Sequence, residues 1–290
     1  MIPKILSFGE IIWDVYESEE LIGGAPLNFA AHAKGCGAKS FMVSAVGGDR
    51  LGGNALDLIK AFGVDASFVK VAPFQTGKCE VTLNESGVPT YNVLSNVAFD
   101  NIILSDTDIE KINAISFDAL YFGTLIQRSE VSRAALEKLC KSCSFKEIIC
   151  DVNLRKNCYS SDSALFCLEN ASILKISDEE EPLLREMGLY SAESGNCESI
   201  AKSIAAAYPN IKIIVITLGA NGSFVYDTQT ASGFLCGGEK VEVVSTVGAG
   251  DSYTAAFCVS FLLGEGAKTA AKKATELSAY VVAHKAAIPQ

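Results

Sequence analysis

Basic charge is scarce in this chain. It has 24 Lys and Arg against 34 Asp and Glu, for a formal net charge of −10 over 290 residues. That balance argues against nucleic acid or an anionic membrane surface as a primary partner. No apolar run has membrane-spanning length. Met1-Ile2-Pro3-Lys4 leads straight into a strand pattern with nothing that reads as a signal peptide, so a cytoplasmic protein is expected. Histidine is nearly missing. His32 and His284 both lie in apolar helical runs, and they are expected in packing or on the surface rather than in catalysis. Cysteine is plentiful, but a metal-binding pattern is absent. The one close pair, Cys140-x-x-Cys143, has no second pair and no histidine nearby in sequence. Reduced, mostly buried thiols are the expectation. Two nucleotide motifs are missing as well. No G-x-G-x-x-G follows the first apolar run. Gly35-Cys36-Gly37-Ala38-Lys39-Ser40 lacks phosphate-loop spacing and precedes a strand pattern instead of following one.

What remains is a chain that is 49% hydrophobic and 20% charged, enough for one large α/β domain with a sizeable core. Strand-like runs at 5–10, 41–46, 118–123, 147–152, 172–176 and 211–217 alternate with helical patterns at 50–62, 129–143, 164–168, 178–187 and 197–206. This alternation predicts a mostly parallel sheet covered on both faces, with ligands beyond the carboxyl ends of its strands. From about Ser67 to Val97 the pattern changes to polar–apolar alternation around Asn84-Glu85-Ser86-Gly87, which predicts a β-hairpin or small sheet.

The densest chemistry lies at Thr246-Val247-Gly248-Ala249-Gly250-Asp251. The run Val241–Val244 before it reads as a strand, and Thr254–Leu263 after it as a helix. Small residues at a helix start leave backbone N–H groups open to an anion, and the helix dipole favours one there. A carboxylate repels phosphate, so Asp251 is either a helix-start acid favoured by the dipole or a general base for an attacking hydroxyl. Gly23-Gly24-Ala25-Pro26-Leu27-Asn28 predicts a turn into a helix, with Asn28 offering both a donor and an acceptor. Asp151-x-Asn153-x-Arg155 follows one strand, and an arginine there can stabilise phosphoryl charge. Ser177 and Glu180 have capping-box spacing after the next strand.

Taken together, these segments resemble the ribokinase-like (PfkB) sugar kinases over nearly the whole chain. Gly23-Gly24-x-x-x-Asn28-x-Ala30 resembles the N-terminal signature, and Thr246-x-Gly248-Ala249-Gly250-Asp251 the C-terminal one. The resemblance implies a three-layer α/β/α sandwich with a mostly parallel central sheet. It also implies a small β-sheet lid from about 11–23 and 67–97, within a single domain. Gly248, Ala249 and Gly250 become the anion hole, Asp251 the base, and Arg155 a phosphoryl contact. Asp14, Gly23, Gly24, Asn28 and Arg128 are placed on the sugar. Thr217, Gly219 and Gly222, in a T-x-G-x-x-G turn, join Asn153 and Lys175 on the nucleotide side. Glu180 is placed on Mg²⁺, although Ser177 stands where the family has Asn. The implied cofactors are ATP and Mg²⁺.

Gly9-Glu10-Ile11-Ile12-Trp13-Asp14 and Tyr121–Arg128 resemble fructokinase-like members, so fructose is the expected acceptor, giving fructose 6-phosphate. Alternatives are 2-keto-3-deoxygluconate, ribose or a nucleoside, or a non-catalytic sensor on the same fold. The lid implies a homodimer. Many members use a potassium ion held partly by an Asp before the Thr; Ser245 in that place makes monovalent-cation activation doubtful.

Overall fold

The structure is a computed structural model, and it describes residues 1–83, 89–191 and 195–289. The expected turn at 84–87 lies outside them. Chain order runs β1 (Lys4–Phe8), β2 (Ile12–Val15), β3 (Glu20–Gly23), α1 (Ala25–Gly35), β4 (Lys39–Gly47), α2 (Arg50–Ala61), β5 (Asp65–Ala72), β6 (Gly77–Leu83) and β7 (Pro89–Val93). It continues α3 (Asp106–Ile115), β8 (Ala119–Phe122), α4 (Glu130–Ser142), β9 (Glu147–Asp151), α5 (Ser161–Asn170), β10 (Ile173–Ser177), α6 (Glu181–Glu186) and α7 (Cys197–Ala207). It ends with β11 (Ile213–Thr217), β12 (Ser223–Asp227), β13 (Ser232–Cys236), α8 (Ala249–Leu262) and α9 (Ala267–Val282).

Among the described residues one sheet has nine strands, in the order β13-β12-β11-β10-β9-β8-β1-β4-β5. From β11 to β5 every pairing is parallel; β12 and β13 are antiparallel additions at one edge. β1 is where the order reverses, with β4 on one side and β8 on the other. Such a switch point opens a crevice at the carboxyl ends of the strands. Alternate residues feed opposite layers. Leu6, Phe8, Leu120, Phe122, Leu174 and Ile176 pack with α3 to α7, whereas Ile5, Tyr121, Ile149 and Ile173 pack under α8 and α9. These two cores make the three layers. A third cluster joins α1 and α2 to β4 through Leu27, Met42, Leu51 and Ile59.

α1 is mostly small or apolar and nearly fully buried, which lets it wedge between α8 and the sheet. Its Phe29 stacks on Tyr121 of β8, ring centroids 3.8 Å apart and planes 8° apart. Burial of such a ring contributes about 1.5–3 kcal/mol, and Phe29→Ala would lose about 3–5 kcal/mol. That packing sets the distance between Asn28 on α1 and the start of α8.

The second sheet has the order β3-β2-β6-β7. It starts later than expected. Residues 67–72 belong to β5, paired in parallel with β4 at the main sheet's edge, because β5 is the return strand after α2. Val241–Val244 is not a strand either. The main-chain N–H groups of Val244 and Ser245 donate instead to the carbonyl of Val282, at the end of α9. α6 begins only at Glu181, since Ser177 and Glu180 close a reciprocal turn before it. No helix among the described residues is long and apolar enough to cross a membrane. All ten cysteines are free thiols, four buried and six half-buried.

Candidate active site

The site grows from the start of α8. Gly248 caps that helix at φ 82°, ψ −3°, a left-handed conformation that glycine adopts without steric cost. A side chain there would also meet Ala287, whose Cβ lies 2.8 Å from the position a Cβ on Gly248 would take. Ser252 N–H makes the first helical bond, to the carbonyl of Gly248. The amides of Gly250 and Asp251 thus belong to the first turn, which has no intrahelical acceptors, so they face an incoming anion at the positive end of the dipole.

Asp251 is 7% exposed, and its Oδ2 accepts a hydrogen bond from Nδ2 of Asn28 at 2.8 Å. Burial pushes its pKa up; the Asn28 bond and the positive charges of Arg155 and Lys175 work against that. Asn28 is 3% exposed, and its Oδ1 has no hydrogen-bond partner among the described residues. A Cβ placed on Gly23 would lie 3.9 Å from both Asn28 Oδ1 and Asp14 Oδ2. The two acceptors therefore face one small volume, which Gly23 leaves open. Asp14 lies on β2 in register with Cys79 of β6. Burial raises the Asp14 pKa, while Arg155 and a hydrogen bond from the Cys79 thiol lower it. Burial and the neighbouring Asp14 push that thiol up to about 12, so it keeps its proton and remains a donor.

Glu10 completes this side and was not among the expected site residues. It is 4% exposed, and its pKa is raised to about 7, mainly by burial, with Asp251 adding and Arg155 subtracting. Gly24 is required beside it: at φ 107°, a Cβ would come 2.5 Å from the Glu10 carbonyl oxygen. Glu10, Asp14 and Asp251 all feel Arg155. Its guanidinium is exposed and has no hydrogen-bond partner among the described residues. It rides on a loop where Asn153 has φ 43°.

The other side is held by paired groups. Lys175 Nζ donates to Asp151 Oδ1 at 3.0 Å, and Thr254 Oγ1 donates to Asp151 Oδ2 at 3.2 Å. The same ammonium lies 3.2 Å from where a Cβ on Gly250 would sit, directly under the helix start. Burial opposes its charge, but Asp151 and Glu180 outweigh that and raise its pKa. Glu180 accepts from Leu154 N–H through Oε1 at 2.7 Å and from Ser177 N–H through Oε2 at 2.8 Å. It thereby anchors the loop that carries Asn153 and Arg155. Thr217, Gly219 and Gly222 form the turn between β11 and β12, closed by the bond from Leu218 N–H to the Gly222 carbonyl.

Arg128 does not join this group. Its guanidinium grips Asp100 through two bonds of 2.8 and 2.9 Å, donates to the Leu94 carbonyl and lies over the Phe99 ring. An arginine followed by an amphipathic helix gives no hint of an acid 28 residues earlier. His32 is buried, as a packing histidine would be, yet it stands close enough to Asp251 to share its field. No group of three or more His, Cys, Asp or Glu side chains able to hold a metal occurs among the described residues. A Mg²⁺ carried by nucleotide phosphates needs only one or two carboxylates from a protein and keeps its waters.

The family model for pfkB family carbohydrate kinases matches residues 3–290. The chain belongs to this family of carbohydrate kinases. A fructokinase from Solanum tuberosum is 28% identical over 270 residues, covering 87% of this chain and 79% of that protein. Among solved structures, Vibrio cholerae fructokinase in its fructose-, ADP- and calcium-bound form superposes with a TM-score of 0.82 at 21% identity, covering 99% of this chain and 95% of that one. An uncharacterised sugar kinase from Pyrococcus horikoshii in complex with ATP gives 0.81 at 24%, covering 98% and 94%. For this carbohydrate kinase the three-layer sandwich with its separate small sheet is the ribokinase fold.

Proposed function

We propose that this kinase transfers the γ-phosphate of ATP to fructose, giving fructose 6-phosphate. The observation that carries the reading is the Asn28–Asp251 hydrogen bond. It holds an acid at the mouth of an anion-binding helix start, beside two acceptors, Asn28 Oδ1 and Asp14 Oδ2, that want hydroxyl donors. Sugar hydroxyls supply those donors and satisfy the buried oxygen. Asp251 takes the proton of the attacking hydroxyl. The amides of Gly250 and Asp251, with Lys175 beneath and Arg155 across, offset the charge of the phosphoryl group in flight. Mg²⁺ bound with the nucleotide would screen the phosphate oxygens, and Glu180 would be the carboxylate that holds its waters. Asn153 and the Thr217–Gly222 turn flank the nucleotide.

A non-catalytic sensor has no use for a carboxylate against phosphate, and the tight Asn28–Asp251 geometry favours catalysis. Fructose is favoured over other acceptors by the fructokinase relatives. A homodimer through the small sheet, whose edges are β3 and β7, belongs to the same proposal, and light scattering on the purified chain decides it. The substrate is tested by ATP consumption over a panel of fructose, ribose, 2-keto-3-deoxygluconate and nucleosides. Fructose turning over fastest is expected. Turnover with fructose no better than with the others would overturn the fructose assignment.

A further inference from the structure

We infer that His32 is a positioning residue of the anion hole, acting through the C-terminal loop; the inference rests on the kinase reading above. His32 lies one turn beyond Asn28 on α1, at the i, i+4 spacing that puts both side chains on one face. It is 7% exposed, and its Nε2 is 2.8 Å from the carbonyl oxygen of Ala287. A carbonyl only accepts, so Nε2 carries the proton and donates. Burial pushes the ring's pKa down, so the imidazole is neutral at physiological pH and adds no fixed charge beside Asp251.

What that bond holds is specific. Ala287 is itself 7% exposed. Its Cβ, O and Cα lie 2.8, 2.9 and 3.0 Å from the position a Cβ on Gly248 would take. Ala287 is therefore the wall against which the left-handed Gly248 is pressed. The next residue, Ile288, packs into the cluster that contains Leu27 and Ala31 of α1. At the loop's other end the Val282 carbonyl binds the amides of Val244 and Ser245. The chain entering α8 and the chain leaving α9 are thus tied together around Gly248, and His32 is the strut on the α1 side. One helix then supplies Asn28 to the acceptor and His32 to the loop that backs the phosphoryl site. Removing the imidazole leaves the Ala287 carbonyl buried without a donor. The loop then moves to find one, and the amides that follow Gly248 lose their aim.

The test uses the full chain with two variants, His32→Leu and His32→Gln. The Gln amide nitrogen takes the place of Nε2 and keeps the donor. Steady-state rates are measured with ATP-Mg and the best sugar of the panel, well below all melting temperatures. Amide hydrogen exchange is followed over 246–252 and 283–289. The expected result for His32→Leu is a kcat lower by roughly tenfold, short of the ~10²–10³-fold that follows loss of an oxyanion donor. Its sugar KM should stay within about twofold, since Asn28 is untouched, and exchange should accelerate in both segments. His32→Gln should recover kcat and exchange together. Three outcomes would overturn the inference: a lower melting temperature with kcat unchanged, a Gln variant as impaired as Leu, or unaltered exchange. A wild-type protein that phosphorylates no sugar would remove the kinase reading instead, and the exchange data would still decide whether His32 holds the loop.

Discussion

The two sides of the site are built on opposite rules. On the acceptor side polar groups are left wanting. Asn28 Oδ1 has no partner, Glu10 is buried with its pKa raised to about 7, and the Arg155 guanidinium has no hydrogen bond among the described residues. On the phosphate side the charged groups are already matched: Lys175 with Asp151, Asp151 with Thr254, and both Glu180 oxygens with main-chain N–H groups. A buried group without a partner carries a desolvation penalty of about 1–3 kcal/mol, which a ligand hydroxyl removes on binding. Matched groups act as a frame, with burial still pushing the paired Asp151 carboxyl up to about 6. The comparison implies that acceptor-side changes alter affinity, whereas changes at the boundary between the sides alter the chemical step.

Asp251 stands on that boundary. Asp251→Asn should fold and bind ATP, since Asn keeps an oxygen for the Asn28 amide, but kcat should fall by the ~10²–10⁴-fold typical of a positioned general base. Near-normal turnover of the purified variant would remove Asp251 from the base role and blur the boundary.

Asp14 belongs wholly to the acceptor side. Asp14→Ala should raise sugar KM by about 10–100-fold, the worth of a hydrogen bond to a charged group, with ATP affinity little changed. Isothermal titration with each ligand separates the two. An equal loss for both would mean that Asp14 shapes the whole site through β2 rather than contacting sugar.

Glu10 sharpens the comparison through pH. Its folded pKa, about 7, lies above the ordinary 4.5, so the folded state holds a proton that the unfolded state has released. Stability should then fall as pH rises from about 5 to 8, by an amount on the order of a few kcal/mol. Glu10→Gln keeps the shape and has no proton to lose, so its denaturant midpoint should show a flatter pH profile over that window. Parallel profiles for the two proteins would place Glu10 in contact with water.

Much of the frame was legible in the chain and most of the acceptor side was not. Strand–helix alternation showed where β1, β4 and β8 to β11 run, because buried parallel strands leave unbroken apolar stretches. The Gly-Ala-Gly-Asp run marked the helix start for the same local reason. Val241–Val244 is misleading: its apolar residues read as a strand, but they lie exposed, and the Val244 amide turns to the end of α9 instead of to a strand. β5 reads as part of the small sheet because alternation tells a half-buried strand from a buried one without telling which sheet it joins. The partners of Arg128 and His32, Asp100 and Ala287, are not legible in the sequence because tertiary packing sets them. The His32 contact spans 255 residues, and nothing in a local pattern encodes it.

The smallest expected effect is an absence of response, and it probes whether the phosphate side needs anything more. The family resemblance places an anionic side chain before Thr246, where a hard cation would gain most of its attraction. Ser245 supplies only a neutral hydroxyl. That hydroxyl already accepts the Val247 N–H at 3.2 Å, and the Ser245 N–H is held by the Val282 carbonyl. Lys285 brings no charge to the pocket in its place, because its ammonium reaches the turn between β2 and β3 instead and pairs with Glu19 at 2.6 Å. Lys175, fixed beneath Gly250, already puts a positive charge at the helix start. Turnover at saturating ATP-Mg should therefore agree within about twofold in sodium, potassium and tetramethylammonium salts at matched ionic strength, where screening is the same. Ser245→Asp should introduce a potassium response if the missing carboxylate is the cause. A several-fold rise specific to potassium in the unaltered protein would show that main-chain carbonyls around Gly248 suffice to hold the ion. The phosphate side would then share the acceptor side's habit of leaving oxygen atoms for a ligand to satisfy.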